Sequence, residues 1–540
     1  MEKRILIAFL LSWIVLVAYQ SFIPKKSQDI FKEESVSSQA FENKYDKTIS
    51  EPRDLSGSQP DPEVNSQLSI AEKIEIIENG HLLVEFSNIG GKIKGITLGK
   101  YAYKFSLTDI LSIGGYEGVQ FTQRLIPNGI VYTFRDENIQ ILKTFTVIDD
   151  QGIISADLSI KNLSAQARSP EILVNNFVID SSLMSEKLDN HPEIALLEYS
   201  ISQNGQIKRK DNAYKFSTKE NSSSRGDIDW IGYRTRYYCF LLKPTFSTNS
   251  TMAQYIDPKR LRLSTSTGSK KLGASEAADF NFIIYAGTQD IESLIGSNVG
   301  FEKIVSYSRF LIFDFVSKYS VKLLNFIHRF IPSWGFSIIL LGIFVYLLMY
   351  PLTMSGMTSM KRMQALQPKM VQLREQNKNN PQKLNKEMME LYKKYKVNPF
   401  GGCLPFILQM PIFIGLYQAL WRSVSFKGAS FLWIKDLSEP DRLFIFPFDL
   451  PILGNELNIL PILMIGIMVI QQKLSSKNMM SSDPNQIMQQ KIMTTIFPVF
   501  IGFIFYKFSS GLTLYFTVFY VLSTFTQWKM SKMVVSDTAH

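Results

Sequence analysis

The chain has 540 residues and is 45% hydrophobic, with its long apolar runs confined to the N-terminus and to the part beyond about residue 335, so more than one domain is expected. A net charge of +10 suggests nucleic acid, but the basic residues flank apolar runs, as positive-inside bias requires. Two cysteines, Cys239 and Cys403, and four histidines argue against a disulfide framework, a metal cluster and histidine-based catalysis; neither cofactor nor metal is expected.

Residues 1–26, MEKRILIAFLLSWIVLVAYQSFIPKK, set a charged start before an apolar run long enough to span. The run lacks the small-residue pair of a cleavage site, so it reads as an uncleaved transmembrane anchor with its N-terminus inside; a cleaved signal peptide is the alternative. Residues 27–71 are polar, without a period, and read as a flexible periplasmic linker. From 72 to 300 the pattern changes to short alternating runs such as HLLVEFSN, KIKGITL, GIVYTFRD and FNFIIYAGT. A period near two predicts an all-β sandwich, external like the linker before it and able to bury its own core. Gly90-Gly91 falls between two runs, where a turn favours residues without Cβ. The aromatic run WIGYRTRYYCF (230–240) reads as a buried strand with Arg234 and Arg236 exposed, or else as the lining of a carbohydrate cleft. No carboxylate pair or histidine accompanies it, and no catalysis is assigned to the domain.

In 301–332 apolar residues recur at three and four among Lys303, Arg309, Lys318, Lys322, His328 and Arg329. This predicts an amphipathic interfacial helix on the external membrane surface; a soluble helix packed on the β domain is the alternative. Five apolar spans follow, at 336–356, 404–422, 458–470, 492–508 and 511–528. The third is short unless it runs on towards Leu474. With the anchor they make a polytopic α-helical membrane protein of six transmembrane helices, both termini cytoplasmic, its second span at 333–357, four more at 401–530 and a tail at 531–540.

Between them lies a basic segment, 358–400. Lys361, Arg362, Lys369, Arg374, Lys378, Lys383, Lys386, Lys393, Lys394 and Lys396 face only Glu375, Glu387 and Glu390, an excess that belongs in the cytoplasm. Met363, Leu366, Met370 and Leu373 mark one helical stripe, and Leu384, Met388, Leu391 and Tyr395 a second. The segment therefore reads as a cytoplasmic helical hairpin, its first arm interrupted at Pro368.

The spans also carry polar stripes. Gly342, Tyr346, Tyr350 and Thr353 share one face; Pro411, Gly415, Gln418 and Arg422 share another; Thr513, Thr517, Tyr520, Thr524 and Gln527 form the longest. Such faces either line a wet groove or pack as ordinary small-residue helix contacts. No acidic or lysine pair lies within the spans, which weakens an ion-coupled transporter.

Seven motifs make a resemblance specific: GGCLPFILQMPIFIGLYQAL (401–420), WGFSIIL (334–340), MYPLT (349–353), LQPKM (366–370), YKKYKVNPFGGC (392–403), QQKIM (489–493) and SSGLTLYF (509–516). In order and spacing they resemble the YidC/Oxa/Alb family of membrane protein insertases, in the Gram-negative YidC form with a large periplasmic domain. IGGKIKGITL (89–98) and the 230–240 run resemble that domain more loosely. The resemblance implies an inner-membrane insertase and chaperone, not an enzyme. Such proteins receive nascent membrane proteins from the cytoplasm, shelter their polar flank in a hydrophilic groove open to cytoplasm and lipid, and release them into the bilayer, alone or beside the Sec translocon. It implies a groove built from Gly342, Tyr346, Tyr350 and Thr353, from Gln409, Gly415 and Gln418, and from Thr513, Phe516, Thr517 and Tyr520. Lys383, Lys386, Lys393 and Lys394 would meet a ribosome or signal-recognition machinery by charge, without reading a nucleic-acid sequence.

The family usually has an arginine where Tyr346 stands, a threonine at Gly342 and a tyrosine at Phe516. Loss of the arginine removes the charge that attracts an acidic substrate tail, and a wet groove would tolerate Tyr346→Arg. Lys507 and Arg422 lie near span ends and are poor replacements. A small-solute or lipid translocator using the same polar faces is the rival reading, and an anchored periplasmic sugar-binding protein a weaker one. The translocator has no evident use for the basic hairpin.

Overall fold

The computed structural model describes residues 72–148, 152–167, 171–183, 197–211, 216–297, 299–308, 310–377, 380–395, 397, 404–450, 454–476 and 492–532. The expected anchor, the linker, Cys403, Lys378, Lys396, the connection at 477–491 and the end of the tail lie outside them.

Strands occupy the alternating runs. Nine form an antiparallel sheet in the spatial order Gln206–Asp211, Glu198–Gln203, Trp230–Arg234, Tyr238–Pro244, Ala277–Thr288, Ile153–Asn162, Ile139–Val147, Gly129–Arg135 and Thr122–Ile126. A second sheet orders Ser222–Arg225, Ser250–Asp257, Arg260–Ser269, Glu171–Asp180 and Leu107–Thr108, with Ser112–Ile113 also on Glu171–Asp180. A four-stranded sheet begins the domain with Ile74–Asn79, Leu82–Ser87, Lys92–Leu98 and Tyr103–Lys104. One buried cluster takes side chains from all three. Phe86 lies 5.4 Å from Phe145, and Phe177 lies 5.2 Å from Phe240, ring to ring. Inter-sheet aromatic contacts of this kind add to the aliphatic burial that holds the sandwich.

The alternation places one cation indoors. Ile141, Phe145 and Val147 face the core on their strand, and Lys143 occupies the slot between them. Its ammonium donates to the carbonyls of Gly90 (2.8 Å) and Leu111 (3.0 Å). Gly90 and Gly91 have φ of 77° and 51°, and a Cβ on Gly90 would lie 2.7 Å from the Glu117 carbonyl oxygen. Glycine thus lets the turn present its carbonyl to the lysine. Burial, with the nearby Lys92 charge, pushes the Lys143 amine down to about 7.

The 230–240 run is two strands, Trp230–Arg234 and Tyr238–Pro244, paired across a tight turn with Gly232 opposite Leu241. Its arginines are not exposed: Arg234 and Arg236 are both buried, a correction to the sequence expectation. Nor does the run line a cleft, since Trp230, Tyr233, Tyr237, Tyr238 and Phe240 are buried.

Nine helices are used below: α1 (Ile291–Gly296), α2 (Leu311–Phe330), α3 (Trp334–Ala365), α4 (Gln367–Gln376), α5 (Pro381–Lys394), α6 (Leu404–Arg422), α7 (Ile459–Ser476), α8 (Phe497–Phe505) and α9 (Ser510–Lys532). The amphipathic segment starts later than its pattern suggests. Phe301–Ile304 is a 3-10 turn, and α2 follows with Phe310, Leu311, Phe315, Phe326 and Phe330 exposed. α2 packs on α6 rather than only on the β domain: Ser317 Oγ donates to the Gly415 carbonyl at 2.7 Å.

α3 does not stop at residue 356. It runs unbroken through Pro351 to Ala365, and Pro368 then sits in the first turn of α4, where a missing N–H is harmless. α7 reaches Ser476, beyond the expected 470. The span at 492–508 is a π turn, Ile492–Ile496, followed by α8, and residues 506–509 separate α8 from α9. Among the described residues one helix, Trp334–Met363, is by itself long and apolar enough to cross a membrane; Ile459–Ser475 and Thr494–Phe505 are shorter apolar helices. α4 and α5 are antiparallel. Asn377 donates to Glu387 (2.6 Å), and Lys369 at the other end donates to the Tyr395 hydroxyl.

Lys143 generates a test. Below about pH 7 the folded chain must bury a cation; between there and the ordinary 10.5 the unfolded chain alone holds that proton, so stability rises with pH. The slope is at most about 1.4 kcal/mol per pH unit. Lys143→Met is expected to flatten it, measured as β-domain unfolding midpoints at two pH values inside that window. Equal slopes in both proteins would refute the account.

Candidate functional site

The polar faces do not all meet. On α3, Gly342 lies against α9, where an added Cβ would meet Val518 at 3.4 Å and Tyr515 at 3.5 Å. One turn on, Tyr346 is 4% exposed. Its hydroxyl is 2.5 Å from Thr526 Oγ1, and its ring stands edge-on to Phe519 at 5.6 Å. Tyr350 lies next to it, 6.2 Å ring to ring, and is partly exposed. Thr353 turns back to the Met349 carbonyl (2.9 Å). Tyr346 therefore sits in the α3–α9 seam.

Much of the long stripe on α9 is satisfied within its own helix. Thr513, Thr517 and Thr524 donate to the carbonyls of Ser509 (3.2 Å), Thr513 (2.7 Å) and Tyr520 (2.7 Å). Such back-bonding lets a hydroxyl sit in an apolar medium without a neighbour. Phe516 is buried, 5.0 Å from both Phe413 and Phe505, with Tyr520 6.5 Å away. Gln471 donates to Ser523 (2.7 Å) and ties α7 to α9. Beyond that bond Thr524 joins Ile470, Leu474, Val521, Phe525 and Trp528 around an open apolar cleft.

α6 divides its polar residues between two sides. Gly415 faces α2, where an added Cβ would lie 2.6 Å from Val316 Cγ1, so it belongs to a helix crossing and not with Tyr346. Gln409 lies beside Tyr515 of α9, yet its amide nitrogen and the phenol oxygen form no hydrogen bond of normal geometry. The Gln418 amide oxygen is likewise buried without a partner. These atoms are among the unsatisfied polar groups of α6 and α9 in the described residues. Tyr515 escaped the sequence reading because it falls outside the threonine stripe.

At the C-terminal end of α6 three arginines meet backbone carbonyls. Arg236, 1% exposed, donates to the Trp421 carbonyl (2.7 Å) and the Ser438 carbonyl (3.3 Å). Arg422 donates to the Ser306 carbonyl (2.6 Å). Arg234 pairs with Glu198 (2.8 Å) and donates to the Ile304 and Ser306 carbonyls, each at 3.1 Å. At the hairpin end Lys361 donates to the Met530 carbonyl in the last turn of α9, a favourable place for a cation.

A family model described as the 60Kd inner membrane protein matches residues 326–537. A membrane protein insertase YidC from Syntrophobacter fumaroxidans is 32% identical over 402 residues, 73% of this chain and 69% of the relative. The chain belongs to the YidC membrane protein insertase family. A second YidC, from Paraburkholderia xenovorans, is 31% identical over 398 residues, covering 73% of this chain and 67% of that one. A solved structure of an active YidC insertase covers 85% of this chain and 95% of its own, at 18% identity and a TM-score of 0.37. The 60Kd inner membrane protein match includes α3 to α9.

The Tyr346–Thr526 bond is testable by a double-mutant cycle with Tyr346→Phe and Thr526→Val. Unfolding in detergent should give a coupling of about 0.6 kcal/mol, the average for such bonds between membrane helices. Additive effects would mean the two hydroxyls do not meet.

Proposed function

We propose that this chain is a multi-pass inner-membrane insertase and chaperone. In this reading the anchor and five later spans cross the bilayer, residues 27–332 are periplasmic, and both termini and the α4–α5 hairpin are cytoplasmic. The groove opens between α3, α6 and α9. The relatives' name supports the function, and one observation carries the mechanism: the Gln418 amide oxygen is buried without a partner, and Gln409 and Tyr515 meet between α6 and α9 without a hydrogen bond of normal geometry. An unpaired amide or phenol in an apolar medium costs about 1–3 kcal/mol by protein mutational measures. Water or a passing polar segment recovers that cost, so the helices favour a guest that lipid tails cannot replace.

The chemistry is solvation; no bond is broken. A substrate's polar flank enters from the cytoplasm and exchanges water for amide and phenol groups. Its apolar segment meets lipid past the exposed faces of α3 and α9, where Leu347, Leu348, Val521 and Phe525 are open. With Tyr346 in the family's arginine position the groove is neutral, and Tyr346, Tyr350, Gln418 and the α9 hydroxyls contribute hydrogen bonds without Coulomb attraction. Tyr346 becomes available to a guest when α3 and α9 separate. Lys383, Lys386, Lys393 and Lys394 are exposed on α5, and Lys383 lies 3.8 Å from Glu387. That surface suits ribosomal phosphate or the signal-recognition machinery, in a salt-sensitive contact. Partnership with the Sec translocon belongs to the same reading.

The purified chain in protein-free liposomes is expected to protect a short single-span substrate from added protease. Solute or lipid flux without protection would favour the translocator instead. Replacing Lys383, Lys386, Lys393 and Lys394 together by Gln should reduce ribosome co-sedimentation at low salt. Unchanged sedimentation would remove the hairpin from that role.

A further inference from the structure

The strand pair between α6 and α7 is apolar where water would demand otherwise. Phe444–Leu450, FIFPFDL, pairs antiparallel with Gly454–Leu457. Leu443, Phe444, Ile445 and Phe448 are 46%, 54%, 58% and 58% exposed. Phe444, Phe446 and Phe448 follow one another along one face, their rings 5.0 and 5.6 Å apart. Ile445 and Pro447 alternate with them on the other. A ribbon surrounded by water keeps at least one polar face, and this strand has none along that stretch.

Its base is fixed. Asp441 is buried and accepts hydrogen bonds from the Ile459 and Leu460 amides (2.9 and 3.0 Å) and from Trp433 Nε1 (3.1 Å). Asn458 accepts from the Arg442 amide (2.9 Å) and donates to the Tyr506 carbonyl (2.8 Å). The apolar strand thus leaves a rigid knot at the start of α7. Phe444 stands opposite Leu457, two residues before α7 begins. Ile462 and Leu463, each 46% exposed, lie within about one 5.4 Å turn of that start. The exposed apolar surface of α7 therefore continues into the strand.

We propose that Leu443, Phe444, Ile445 and Phe448 seat this hairpin in the outer leaflet, at the boundary of headgroups and acyl chains. The proposal rests on the membrane reading of α7. Two features select lipid over a partner chain. The pairing register shifts between Ile445 and Leu450, an irregularity that makes the ribbon's open edge a poor template for an added strand. The pairing strand is polar, and Arg442, bonded to Glu456 (2.7 Å) and Glu439 (3.4 Å), supplies a charged rim. Depth follows from the same edge. Its unpaired backbone groups find no partner among hydrocarbon tails but do find water and headgroups at the interface.

The test places a nitroxide on Phe448→Cys, on Ile445→Cys, and on Leu463→Cys as a reference in α7. Each is made in the full chain carrying Cys239→Ala and Cys403→Ala, in phosphatidylethanolamine–phosphatidylglycerol vesicles. Collision with oxygen reports lipid, and collision with a water-soluble nickel chelate reports solvent. Either hairpin label showing oxygen access with loss of nickel broadening, at a shallower depth than Leu463, supports the proposal. Both hairpin labels open to nickel, or shielded from both probes by protein, overturn it while Leu463 stays in lipid. Nickel access at Leu463 as well would overturn the membrane reading of α7 itself.

Discussion

A buried guanidinium has to be met by acceptors, and Arg236 is met by the backbone. It gives its Nε–H to the last turn of α6, at Trp421, and an Nη–H to Ser438, while the rings of Trp421 and Tyr237 lie 4.9 and 4.6 Å from its carbon. The end of a helix is where carbonyls lack partners and where the dipole is negative, so one side chain answers both needs. Leaving that charge buried and unpaired would cost several kcal/mol, which fixes how the sheet turn, α6 and the loop after it sit together. Arg234, Arg209 and Glu198 extend the arrangement to the 301–308 segment that leads into α2. α2 in turn lies across Gly415 of α6.

Within the helical part, hydroxyls and amides are handled in three ways. Threonines of α9 bond to their own helix. Tyr346 with Thr526, and Gln471 with Ser523, bond across a seam. Gln409, Gln418 and Tyr515 are left over. The first group tolerates any surroundings, the second holds helices together, and the third, on the proposed reading, has free energy to gain from a visitor. That division refines a groove drawn from helical periodicity, which treats every polar residue on a face alike.

The sequence made the strands legible because a period of two needs only near neighbours. Ile139–Val147 and Lys92–Leu98 lie where alternation put them. Lys143 was not legible: its acceptors are carbonyls of Gly90 and Leu111, far along the chain, and nothing in a side-chain pattern announces a backbone oxygen. Arg236 failed to declare itself for the same reason, its partners lying 185 and 202 residues away. Arginines within an aromatic run look exposed because charged residues usually are. The polar faces of α3, α6 and α9 were readable as faces. Their neighbours were not, since spacing along one helix says nothing about which helix comes alongside. Gly415 illustrates this, sharing a face with Gln418 in sequence but a crossing with Val316 in space.

α3 is 32 residues long, about 48 Å at the helical rise, against an apolar bilayer thickness of about 30 Å. With Trp334 at the outer boundary, on the proposed orientation, well over 10 Å of helix remains on the far side before α4 begins. The helix then acts as a stalk. Its surplus exceeds the ~8 Å over which physiological salt screens charge. On that reading the lysines of α5 are carried towards solution, where anionic headgroups compete weakly for them and a large soluble polyanion can approach unhindered.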